Sequence, residues 1–105
     1  MEEGPKLVRD KIPGIIENEG RTPVVRNVEG REYLEALKRK LLEEAREASE
    51  CDSEQLVEEM ADVFEVLMAL CETQNMTMAE LFEVAHEKRE MKGGFEQGII
   101  LEKQN

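Results

Sequence analysis

The segment Leu56–Cys71 constrains the fold more than any other stretch. Its apolar residues are Leu56, Val57, Met60, Val63, Phe64, Val66, Leu67, Leu70 and Cys71. On a helix turning about 100° per residue they cover roughly half the circumference. One neighbouring helix covers a narrower stripe. This helix therefore belongs among several others, and the sequence predicts that some of them come from a second subunit. Aromatic residues make up only 4% of the chain, so the core must rest on Leu, Val, Ile, Met and Ala.

The preceding segment has the complementary pattern. Leu34, Leu37, Leu41, Ala45 and Ala48 recur at spacings of three and four, the stripe of an amphipathic helix. The run "SECDSE" breaks it, and Asp52 with Gln55 has the spacing of a capping box for the next helix. A third helix follows "ETQNM". Thr77 and Glu80 match a second capping box, and the helix runs to about Met91, where Gly93 and Gly94 stop it. Residues 1 to about 29 are mixed. Pro13 and Gly20 bracket a short helix, and "PVVRNV" reads as extended. Near the other end, Ile99 to Leu101 fits a small strand. The expectation is an all-α fold in one domain, 1–105. An antiparallel helical hairpin and a third helix pack into an oligomeric bundle, with short extended segments near the termini.

A formal charge of −11 opposes nucleic-acid binding through a basic surface and opposes anionic membranes. It still allows a phosphate ester bridged by metal cations. Two cysteines without a CxxC pair read as reduced thiols. No apolar run approaches the roughly 20 residues that span a bilayer, and "MEEGPKLVRDK" lacks the apolar stretch of a secretory signal. A cytoplasmic protein is expected.

The acidic residues divide by position on the wheel. Glu44 and Glu47 fall at the border of the first stripe, whereas Glu43 points nearly opposite it. On the next helix Glu59 lies inside the apolar arc, Asp62 is at its margin, and Glu58 points to water. An antiparallel hairpin brings Glu44 and Glu47 towards Glu59 and Asp62. Four carboxylates near a dry seam repel one another and resist desolvation, and a hard divalent cation removes both costs. Oxygen ligands alone favour Mg²⁺, with Mn²⁺ as the alternative, over Zn²⁺. A solvated or salt-bridged acidic face has the same spacing. The position of Glu59 favours a site.

"EEAREASECDSEQLVEEMAD" resembles the EExxE then ExxD pattern of the MazG-like all-α nucleoside triphosphate pyrophosphohydrolases, a superfamily that includes phosphoribosyl-ATP pyrophosphohydrolase. "KLVRDKIP" and "KREMKGGFEQGIIL" resemble segments of its small stand-alone members. The resemblance implies that Glu44, Glu47, Glu59 and Asp62 are metal ligands. It implies Glu43 as an auxiliary acid that orients water or meets a second metal, so Glu43, Glu44 and Glu59 are the catalytic candidates. The implied reaction cleaves a nucleoside triphosphate between its α and β phosphates, giving the monophosphate and pyrophosphate. The implied assembly is a homodimer or homotetramer. Two alternatives stand beside it: hydrolysis of phosphoribosyl-ATP, and a non-catalytic helical dimerisation module.

Substrate phosphates call for further cations, and the candidates are Arg9, Lys11, Lys88 and Lys92, with Lys6 and Arg89 beside them. Lys88 and Lys92 also suit a helix C-terminus without any ligand. His86, the lone histidine, and Cys71, on the apolar arc, read as structural.

Overall fold

The computed structural model describes residues 5–105, so the first four positions of the expected domain lie outside the described residues. Four α-helices form: α1 (Ile12–Asn18), α2 (Gly30–Glu50), α3 (Leu56–Thr73) and α4 (Met78–Lys92). There is no strand among the described residues. The fold class is all-α, as expected. The proposed strand at Ile99–Leu101 does not form. Those residues are exposed, and no other strand is present to supply backbone partners.

α1 is the short helix bracketed by Pro13 and Gly20. Pro13 sits in its first turn, where a missing N–H costs nothing. Gly20 takes φ +86°, a left-handed turn that favours glycine and ends the helix. Residues 21–29 then run without regular structure to α2.

α2 and α3 are the antiparallel hairpin. Glu44 meets Glu59 near the connecting turn, and Tyr33 and Leu34 share a shallow cleft with Glu72 and Thr73 at the far end. Between these levels Leu37 and Val66 are buried. The Asp52 capping box is not made. The connection closes instead through backbone bonds from Gln55 N–H to Asp52 C=O and Leu56 N–H to Ser53 C=O, and α3 begins with no side-chain cap. Once these bonds satisfy the turn, the side-chain cap is not required.

The buried line of α2 also differs from expectation. Ala45 is exposed, whereas Leu37 and Glu44 are the most buried residues of the helix. α3 therefore lies roughly half a residue round from the centre of that stripe, and Glu44 moves from the border to the middle of the packed face.

α4 starts with the predicted capping box. Thr77 Oγ1 accepts from Glu80 N–H at 3.1 Å, and Thr77 N–H donates to Glu80 Oε1 at 2.8 Å. Thr77→Ala is expected to cost about 1 kcal/mol in denaturant unfolding. α4 meets α3 beside the turn at residues 74–77, where Cys71 Sγ lies 3.6 Å from Met78 Sδ. From Phe82 to Lys92 every residue is exposed.

The hairpin satisfies only one side of α3. Val57 (74% exposed), Met60, Phe64 (52%) and Met68 form an apolar line with no covering in the single chain. The half-circumference arc thus has a buried edge against α2 and an open edge.

Candidate metal centre

The acidic site forms where α2 and α3 approach the connecting turn. Carboxylate oxygens of Glu43, Glu44 and Glu47 lie within 4.8 Å of one another, as do those of Glu44, Glu59 and Asp62. Glu44 belongs to both groups and is only 7% exposed. One oxygen of Glu44, Oε2, and one of Glu59, also Oε2, are buried without a hydrogen-bond partner. An unpartnered buried carboxylate oxygen is costly. Glu44 and Glu59 both belong to the second group, where a common positive partner would offset that cost.

Three side chains partly supply that charge. Lys40 Nζ lies 3.4 Å from Glu43 Oε2 and 3.3 Å from Glu44 Oε1. Lys6 Nζ lies 3.5 Å from Glu43 Oε2. Arg9 Nη2 donates to Asp62 Oδ1 at 2.7 Å, and its Nη1 lies 3.7 Å from Glu65 Oε1. Five clustered carboxylates thus meet three cations. The cluster keeps an excess of negative charge, which a divalent ion would offset. The donor set is all carboxylate, which suits Mg²⁺ or Mn²⁺.

Glu43 departs from its wheel position. Its side chain is 11% exposed and does not face water. Part of the cause lies outside α2. The segment before α1 crosses the hairpin and sets Lys6 over Glu43, and Lys40 reaches Glu43 from one turn earlier on the same helix. Glu58 faces solvent, as expected.

A hydrogen bond with Glu44, then partial burial, pushes the Glu47 carboxyl above the ordinary range, and the charges of Glu44, Glu59 and Glu43 add to this. A carboxyl with a raised folded pKa holds more protons folded than unfolded between its two pKa values. Stability therefore falls as pH rises through that window, and the penalty is complete above it. In EDTA the melting temperature should fall as pH rises from about 4.5, the unfolded value, through the raised value. Glu47→Gln should flatten that fall. Glu32 and Glu96, held low by Arg26 and Arg89, act oppositely, with stability lost as pH drops below the same ordinary value.

Of the proposed phosphate-binding cations, the structure brings Arg9 to the cluster. Lys11, Lys88 and Lys92 are exposed and make no ion pair among the described residues. The sequence reading missed Lys40 and Glu65. Lys40 stands three and four residues before Glu43 and Glu44, helical ion-pair spacing that was legible in "KLLEE". Glu65 was one turn beyond Asp62.

A helical hairpin with a carboxylate cluster at its seam defines the class of protein. The chain belongs to the phosphoribosyl-ATP pyrophosphohydrolase family, which it matches over residues 19–89. That span contains all five clustered acids and Lys40, whereas Lys6 and Arg9 precede it. An uncharacterized protein of Mycolicibacterium smegmatis (strain ATCC 700084 / mc(2)155) is 48% identical over 48 residues, 46% of this chain and 49% of the relative. The chain thus matches about half the length of that relative. No solved structure matches. No helix among the described residues is long and apolar enough to cross a membrane.

Proposed function

We propose that the protein is a Mg²⁺-dependent nucleotide pyrophosphohydrolase that cleaves a nucleoside triphosphate between its α and β phosphates. The observation that carries this reading is the pair of buried, unpartnered oxygens, Glu44 Oε2 and Glu59 Oε2, facing a shared acidic cluster. Glu44, Glu47, Glu59 and Asp62 would hold the ion. A bound divalent cation neutralises phosphate charge and lowers the pKa of water.

The chain's own groups do the rest. Lys6 and Lys40 hold the Glu43 carboxylate beside Glu44, where it can orient a water for attack on the α phosphorus. Attack forms a P–O bond at the α phosphorus and breaks its bond to the bridging oxygen, and pyrophosphate leaves. Arg9 can clamp phosphate oxygens through two N–H groups. The domain works as a homodimer or homotetramer in this reading, because the open line of α3 needs a second copy to cover it.

The family match favours phosphoribosyl-ATP as a second substrate candidate, cleaved at the same bond. The test is a panel of standard and damaged nucleoside triphosphates plus phosphoribosyl-ATP, each with Mg²⁺ or with EDTA. Pyrophosphate should appear with Mg²⁺ and not with EDTA. A non-catalytic module would give neither pyrophosphate nor a thermal shift with Mg²⁺ or Mn²⁺.

A further inference from the structure

We propose that Arg9 is an internal competitor for the cation, so that cation binding and release of the Arg9 guanidinium from Asp62 are one event. This rests on the cation-site reading above. Arg9 Nη2 lies 2.7 Å from Oδ1 of Asp62, a carboxylate that the ion would also claim. A guanidinium and a divalent cation repel each other at such range, so both cannot hold Asp62 equally well.

Arg9 is held at the cluster less firmly than Lys40. Lys40 is 16% exposed and grows from α2 one turn before the ligands. It uses Glu44 Oε1 and leaves the unpartnered Oε2 to an ion. Arg9 is 54% exposed, on a segment that precedes α1 and has no regular structure before the turn at residue 10. Glu65, one turn beyond Asp62 and already 3.7 Å from Nη1, gives the displaced guanidinium a place to rest. Resting there, Arg9 stays beside the ligands with N–H groups that no longer serve Asp62, where a nucleotide's phosphates would arrive. Binding acquires an order: the divalent ion first, which frees Arg9, and the phosphate ester second.

The test is Mn²⁺ titration of the full chain, followed by the electron paramagnetic resonance of free Mn²⁺, for wild type, Arg9→Ala, Arg9→Gln and Arg31→Ala. Arg31 lies about 18 Å along α2 from Glu43, beyond the range of screened charge, and controls for net charge. Both Arg9 variants should bind Mn²⁺ about two- to fivefold more tightly than wild type, with Arg31→Ala unchanged. Variants that bind no more tightly than a wild type that does bind would overturn the competition and leave the cation site standing. Equal tightening in Arg31→Ala would overturn it too. Absence of Mn²⁺ binding in all four proteins would overturn the cation site and the competition together.

Discussion

Glu59→Gln is expected to lower pyrophosphate release by at least about 100-fold while raising the melting temperature of the metal-free protein. The two effects have one cause. Glu59 Oε2 is buried without a partner, among the oxygens of Glu44 and Asp62. In the metal-free protein this is repulsion with no compensation, since no lysine or arginine pairs with Glu59 among the described residues. A neutral amide of the same shape removes the charge and can donate to a neighbouring carboxylate. Relief on the order of 1 kcal/mol is reasonable for one such group, about 4–8 °C for a domain near this size. The same change removes a ligand that the proposed reaction would require. Asp62→Asn should share the loss of activity. It should not share the gain in stability, because Asp62 already has Arg9. Activity assays and thermal melts in EDTA check both arms.

If the proposed oligomer covers the open line of α3, Phe64→Glu is expected to break it and unfold most of the chain. Residues 5–105 have a radius of gyration of 17.6 Å, whereas a compact domain of this length has about 13 Å. Among the described residues the buried apolar ones are Leu37, Val66 and Cys71. That core is too small to offset the chain entropy of four helices. The open line of α3 supplies the missing apolar area, and Phe64 is near its middle. A carboxylate there would be desolvated by the second copy or would prevent its docking. Sedimentation equilibrium should show a fall in mass, and far-ultraviolet circular dichroism a loss of helix. Glu58→Gln, on the solvated side of the same helix, should change neither.

What was legible in the sequence follows from the range of the forces involved. Helix existence and type rest on local periodicity, so α2, α3 and α4 were readable, and so was the Thr77 cap, which involves residues three apart. The Asp52 box failed because a competing local turn satisfied the same backbone groups. The seam carboxylates were readable because both hairpin helices carry their own stripes. Glu43 was not, because its environment is set by Lys6, distant in sequence and placed by the strap's path over the hairpin. The placement of Arg9 on Asp62, across a sequence separation of 53, depends on the same path. Lys40 was a local signal left unused. The burial of Glu44 in the centre of its face depended on a small rotation of α2 against α3 that periodicity does not resolve.

The most direct test of the cation-dependent cleavage is phosphorus NMR of the products made with Mg²⁺ by wild type and Glu59→Gln. Wild type should give inorganic pyrophosphate and nucleoside monophosphate in equal amounts, and Glu59→Gln should leave the triphosphate intact. Orthophosphate with nucleoside diphosphate, or the same pyrophosphate yield from both proteins, would contradict the account.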